Sequence, residues 1–372
     1  MTLFDRANSG VAQLSPYEPG LPVETLKRQL GLSDIIKLAS NENPLGCGAS
    51  VRELLRDWRG ELGRYPDGNG FKLKERLARH HKIDPDRITL GNGSNDLLEL
   101  VGRVFLRADR PAMFSQYGFA IYKLVSLASG APFIEIPAHP AEAAMPFGHD
   151  LDGFIANVGQ APGVIFVASP NNPTGTWCQA EEIERLLQAA PADSVVLLDE
   201  AYNEYLKPSL RPPSRAWLDK YPNLVVTRTF SKIHGLAALR VGYSLSSPEV
   251  ADLLNRARQP FNVNQLALDC AEAALDDQAH VARSIELNTE ERRRVHDALQ
   301  SMGLTVLPSQ ANFLTFDCRQ PSTPVYEALL RAGVIVRPMA GYGLPQHLRV
   351  TVGLPKENDR FLGALGRALE TA

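Results

Sequence analysis

Between about residues 50 and 250, short apolar, β-branched runs alternate with segments of helical periodicity. Ile88-Thr89-Leu90 precedes a Gly-rich turn and a helical segment from Leu97 to Leu106. Val164-Ile165-Phe166-Val167 leads into SPNNPTG (169–175), and a helical pattern with Ile183, Leu186 and Leu187 follows. Val195-Val196-Leu197-Leu198 ends at Asp199, and Leu224-Val225-Val226 runs toward TFSKIHGLAALRVGY, residues 229–243. Continuous apolar runs are strands buried on both faces. Strands separated by helices pair side by side through crossovers. The expected fold is therefore α/β, with a mainly parallel sheet flanked by helices.

The ends of the chain read differently. Residues 1 to about 45 are rich in Pro and Gly (SPYEPGLP, SNENPLG) and predict an arm plus loops. Residues 265–300 are polar and helix-rich; strand candidates Ala311–Phe316 and Val334–Val336 follow, with a helix between them and another at the C-terminus. This predicts a second, smaller α+β domain. The expected division is an arm over 1–45 joining the small domain, a large domain over 46–260 and a small domain over 261–372, with the Gln259-Pro260 region as the border. A chain of 372 residues is long enough for both.

Composition excludes several classes. A formal net charge of −3 with interspersed signs gives no nucleic-acid footprint. No apolar run approaches the ~20 residues that span a bilayer. The N-terminus lacks a basic stretch followed by an apolar one, so a cytoplasmic protein is expected. Cys47, Cys178, Cys270 and Cys318 are far apart and form no CxxC pair, which predicts reduced, structural thiols. Glu200 and Glu204 follow Asp199, but no histidine lies at ligand spacing; they read as structural or solvated, no metal site is expected, and His80-His81 reads as a helix surface.

Ligands of open parallel sheets collect beyond the C-terminal strand ends, and polar residues gather there. In LGNGSND (90–96), glycines lead into Ser94, Asn95 and Asp96 before an apolar helix. Backbone N–H groups at such a start hold an anion, or the segment is an ordinary N-cap. The third glycine of GxGxxG is missing, and no acidic residue occurs in the next strand-like stretch, which disfavours NAD. Tyr117, in SQYGFAIY, is placed to lie against an aromatic ligand or to fill a core. SPNNPTG specifies a tight turn from which the Asn172 amide can donate. Asp199 closes an apolar run and is costly to bury without a charged partner, such as a protonated pyridine nitrogen. Lys232, beside Thr229 and Ser231 and followed by Arg240, is suited to a Schiff base with a phosphate-bearing aldehyde, or is a surface loop lysine.

Taken in order, YEPGLP, KLASNENPLG, RYPDGNG, GNGSND, SPNNPTG, DEAY, TFSKIHGLAALRVGY, ANF, VIVRP and LRVTVG cover nearly the whole chain. Together they resemble the pyridoxal-phosphate aminotransferases of fold type I (class I/II), and most of all the histidinol-phosphate aminotransferase subgroup. The resemblance implies a mixed seven-stranded sheet in the large domain and pyridoxal 5'-phosphate as cofactor. It implies that Lys232 carries the Schiff base and moves the proton, that Asp199 pairs with the pyridine nitrogen, and that Asn172 and Tyr202 hydrogen-bond the ring hydroxyl oxygen. Tyr117 would stack on the ring. Ser94, Asn95, Thr229, Ser231 and Arg240 would hold the phosphate, with Tyr65 reaching it from the other subunit of a homodimer. Arg349 would bind an α-carboxylate; Tyr17 and Arg337 would bind the substrate phosphate; Asn41 and Asn43 would line the same pocket. His234 stands where an aromatic is common, and Leu21 where a lysine is frequent; neither change removes a required group.

The implied reaction is a double displacement that moves an amino group between histidinol phosphate and 2-oxoglutarate, in histidine biosynthesis. Two rivals use the same cofactor residues: an aromatic amino-acid aminotransferase, and a threonine-phosphate decarboxylase, a lyase on this scaffold. A transcription factor with an aminotransferase-like domain needs an added DNA-binding domain, for which the motifs, starting near Tyr17, leave no room.

Overall fold

A computed structural model describes residues 2–8, 10–14 and 21–371. Its main sheet has seven strands in the order Ile88–Gly91, Gly242–Leu245, Leu224–Thr229, Val195–Asp199, Val164–Ala168, Ala112–Ser115 and Phe133–Ile136. Neighbours are parallel except at Gly242–Leu245, which is antiparallel to both strands beside it. The expected α/β class and the mixed seven-stranded sheet are both found.

Every residue of the Val164–Ala168 and Val195–Asp199 strands is buried, and for this reason they read as unbroken apolar runs. Their side chains still alternate in direction. Ile165, Val167, Val196 and Leu198 enter one core, beneath the helices Phe71–His81, Ala180–Ala189 and Gln265–Asp276. Val164, Phe166, Val195 and Leu197 enter the other, beneath Ser94–Phe105, Ala120–Ala128 and Pro248–Ala257. At about 1.5–3 kcal/mol for each large aliphatic side chain buried, these two layers dominate the stability of the sheet.

A second sheet is antiparallel throughout, in the order Arg337–Pro338, His347–Thr351, Phe313–Asp317 and Thr305–Val306. It shares a core with the helices Gln278–Ser301, Ser322–Arg331 and Pro355–Thr371. The expected strand Val334–Val336 shortens to Val334–Ile335, and the residues just after it turn into a different sheet. Val334–Ile335 pairs in parallel with Ile36–Lys37, near the start of the chain, whereas Arg337–Pro338 pairs with His347–Thr351. Three consecutive apolar residues announce burial but not a partner.

Two further expectations are corrected. The helix expected from Leu97 begins at Ser94, because its first turn faces a cavity and needs no apolar residue to mark it. His81 is not surface: it is half-buried, its Nε2 lies 2.8 Å from the Tyr243 hydroxyl, and burial lowers its pKa to about 3. Among the described residues all four cysteines are free thiols, and no helix is long and apolar enough to cross a membrane.

Candidate active site

One cavity opens where the C-terminal ends of the main strands meet the second sheet. The strand ends deliver Ser94, Asn95, Asn172, Asp199, Tyr202, Thr229, Ser231, Lys232 and Arg240; the second sheet and its connections deliver Arg337, Tyr342 and Arg349; the N-terminal segment delivers Ala39, Ser40, Asn41 and Glu42.

Lys232 leaves the Leu224–Thr229 strand into the cavity, and its Nζ donates to the Ser40 carbonyl at 3.1 Å. The same nitrogen lies 5.6 Å from the centre of the Tyr202 ring. Burial, and then the Arg349 guanidinium, lower its pKa to about 8. A lysine held there keeps a usable share of free amine near neutral pH.

Asp199 is 5% exposed and receives three neutral donors: the Tyr122 hydroxyl to Oδ2 at 3.1 Å, and the Thr227 hydroxyl and Ala201 N–H to Oδ1, each at 3.2 Å. Burial holds its carboxyl above the ordinary range, and the donors pull the other way. A buried carboxylate among neutral donors is a ready place for a cation entering the cavity.

One end of the cavity is built by close backbone approach. Gly242 pairs with Gly91 across the sheet, and a Cβ on it would lie 2.8 Å from the Ser94 nitrogen. Gly93 has a φ of +81°, and a Cβ there would lie 2.3 Å from the Arg240 guanidinium. These two glycines let the N-terminus of the Ser94–Phe105 helix and Arg240 share one small space. Arg240 Nη1 donates to the Ser231 hydroxyl at 3.1 Å, and Ser231 N–H donates to the Thr229 hydroxyl at 3.1 Å.

The opposite wall joins the two sheets. SPNNPTG is a turn held by its own side chains: Asn171 Nδ2 donates to the Thr174 hydroxyl and to the Tyr117 carbonyl, each at 2.8 Å. From it Asn172 Oδ1 accepts from Arg349 Nη1, and Arg349 Nη2 donates to the Ala39 carbonyl at 2.8 Å. Arg337 stands directly opposite Arg349 across the antiparallel ladder. Asn41, with a φ of +56°, donates through Nδ2 to the Tyr202 hydroxyl at 2.9 Å, and burial raises that phenol to about 12.

Not every expected residue reaches the cavity. Asn43 donates instead to the Ile233 carbonyl and the Ser284 hydroxyl, at 2.8 and 2.9 Å, and is a structural bracket. The Tyr117 ring meets Phe147 edge-on at 5.3 Å, and Phe119, two residues on, stands in the cavity wall. Tyr65 is 82% exposed and stacks on Phe261 at 4.7 Å, outside this chain's own cavity. Tyr17 lies outside the described residues. Sequence reasoning missed Tyr122, Tyr342 and the Ser40 carbonyl. Tyr342, in a Gly-rich turn near Arg337, had a signal; Tyr122, at a helix-core spacing, had none.

The profile of the family described as aminotransferase class I and II matches residues 33–365. Histidinol-phosphate aminotransferase 2 of Pseudomonas aeruginosa is 52% identical over 365 residues, 98% of this chain and 97% of that protein. Histidinol-phosphate aminotransferase 1 of Mannheimia succiniciproducens is 49% identical over 369 residues, 99% of each. The crystal structure of histidinol-phosphate aminotransferase from Sinorhizobium meliloti, in complex with pyridoxal-5'-phosphate, superposes with a TM-score of 0.87 over 98% of each chain at 28% identity. With a lysine, a buried carboxylate and an arginine beside a helix N-terminus in one cavity, and a family profile that spans most of its length, the chain belongs to the class I and II aminotransferases.

Proposed function

We propose that the chain is a pyridoxal-phosphate-dependent aminotransferase that moves an amino group between histidinol phosphate and 2-oxoglutarate, giving imidazole-acetol phosphate and glutamate, in histidine biosynthesis. The observation that carries this reading is the cavity's polarity of function. An amine of lowered pKa shares the cavity with a buried carboxylate and a glycine-cleared helix N-terminus, and with two arginines that face each other across the second sheet. The names of relatives about half identical over nearly the full chain support the substrate.

The residues fit the cofactor: Asp199 is buried without a cation among its hydrogen-bond donors, and Gly93 and Gly242 clear a space for a phosphate. Bound there, pyridoxal phosphate supplies an aldehyde for amines and an electron sink. The Lys232 amine then carries a proton to and from the substrate carbon. Asp199 holds the ring nitrogen protonated, Asn172 and Tyr202 hold the ring hydroxyl oxygen, and Tyr117 turns from its edge-on contact with Phe147 to stack on the ring. Ser94, Asn95, Thr229, Ser231 and Arg240 bind the phosphate. Arg349 takes a carboxylate as a two-pronged pair, and Arg337, with Tyr17, takes the substrate phosphate. Asn41 orients Tyr202. The working unit is a cytoplasmic homodimer in which Tyr65 reaches the partner's phosphate site, and each chain divides into an arm (1–45), a large domain (46–260) and a small domain (261–372).

A half-reaction panel tests the reading. Histidinol phosphate, phenylalanine, tyrosine and threonine phosphate are each offered to the loaded protein. The expected result is fastest formation of pyridoxamine phosphate with histidinol phosphate and no carbon dioxide from threonine phosphate. Faster conversion of phenylalanine, or release of carbon dioxide, replaces this reading with one of its rivals.

A further inference from the structure

The tyrosine that touches Asp199 lies behind the cavity rather than in it. Tyr122 belongs to the Ala120–Ala128 helix and is wholly buried. Its ring is stacked on Phe166 (4.7 Å, 15°) and meets Phe119 edge-on (5.9 Å, 89°). The ring is thus clamped on two sides, and its hydroxyl donates to Asp199 Oδ2.

The donors on Asp199 are divided unequally. Oδ1 takes both the Ala201 N–H and the Thr227 hydroxyl, whereas Oδ2 takes Tyr122 alone. An ionised carboxylate offers about four acceptor sites, two on each oxygen. Three are filled from the protein side, which leaves one on Oδ2. Asp199 itself lines the cavity, so a ring lying there could take the remaining site. A phenol whose single proton is committed to Oδ2 cannot also accept from that oxygen, and the clamped ring keeps it from turning away. Burial of Tyr122 keeps it protonated, and therefore a donor.

We propose that Tyr122 is a positioning residue: by donating to Asp199 Oδ2 from behind, it fixes the carboxylate as an ionised acceptor whose last open site is aimed at a protonated ring nitrogen. The proposal rests on the pyridoxal-phosphate reading of the cavity and deepens it. The bland reading of the same contact is a core tyrosine whose hydroxyl found a partner. The two differ in what the loss of the hydroxyl does to a ring with, or without, a nitrogen.

The test uses the full chain freed of cofactor, the conservative variant Tyr122→Phe, and two probes: pyridoxal phosphate and its 1-deaza analogue, which carries CH in place of the ring nitrogen. Hydrogen bonds to charged groups contribute about 1.5–3 kcal/mol, so the expected loss of pyridoxal-phosphate affinity is about tenfold or more. Affinity for the deaza analogue stays within about twofold. Placing 4-aminophenylalanine at position 122 keeps a donor and restores most of the lost preference. Equal losses for both probes, or none for either, overturn the role of Tyr122 while leaving the cofactor reading intact. If the unaltered chain binds both probes equally, Asp199 makes no pair with the ring nitrogen and the proposal falls. If it binds neither, the cofactor reading fails with it.

Discussion

Lys232 owes its chemistry to the groups around it. Burial and the nearby Arg349 bring its pKa to about 8, so near neutral pH about a tenth of the chains carry a free amine, against less than about one in a thousand for an ordinary lysine. The sign follows directly: the free amine is the reactive form, and its share rises as pH rises through the lowered value. The cofactor-free chain is therefore expected to combine with pyridoxal phosphate faster as pH increases toward about 8 and to level off above it. A rate that continues to climb to the ordinary lysine range contradicts this; stopped-flow absorbance reads it. At this scale the sequence was most legible. Ser94, Asn172, Asp199, Thr229, Ser231, Lys232, Arg240 and Arg349 stand in one cavity because each follows a strand or turn whose pattern could be read. Asn43 was expected in the pocket and Tyr122 was not singled out, since an asparagine in a loop and a tyrosine on a helix do not declare what they will touch.

At the scale of elements, the Leu224–Thr229 strand does two jobs on its two faces. Thr227 turns toward Asp199, while Arg228, its neighbour, pairs with Glu200 and Glu204 on the other side. Glu200 is fully buried. It is structural rather than solvated, a choice the sequence left open because an acidic residue after a strand fits either. Removing Arg228 strands a buried carboxylate, so Arg228→Met is expected to destabilise the chain by about 3–5 kcal/mol. Glu200→Gln in the same background recovers part of that loss. Denaturant unfolding of the single and double variants measures both effects, and a single variant as stable as the parent removes the network from the stabilising terms. Elements whose partners are distant were the hardest to foresee, as the division of Val334–Arg337 between two sheets illustrates.

For the whole molecule, Tyr65 is exposed and stacks on Phe261, and the proposed function gives it a role in a second copy of the chain. If Tyr65 acts across the interface, chains carrying Tyr65→Ala and chains carrying Lys232→Ala are each expected to be nearly inactive alone. Mixed and allowed to exchange, they form dimers in which one of the two sites is intact, and activity returns. Activity no greater than that of the separate variants sinks the cross-subunit role; an assay before and after co-refolding decides it. The main sheet was legible because its buried strands are consecutive with their helices. The assembly around the cavity was less so, because it joins segments that hydropathy cannot pair.

That joining has a consequence for how the chain comes to be active. Lys232 is fastened to Ser40, 192 positions away, and Asn41 N–H donates to the Thr351 hydroxyl across 310. Contacts of such separation are closed late, after local helices and adjacent strands have formed. A chain still leaving the ribosome can hold its main sheet and yet lack a finished pocket until its last stretch emerges. A pocket able to hold the cofactor is therefore expected only after the segments around Asn41 and Thr351 have met.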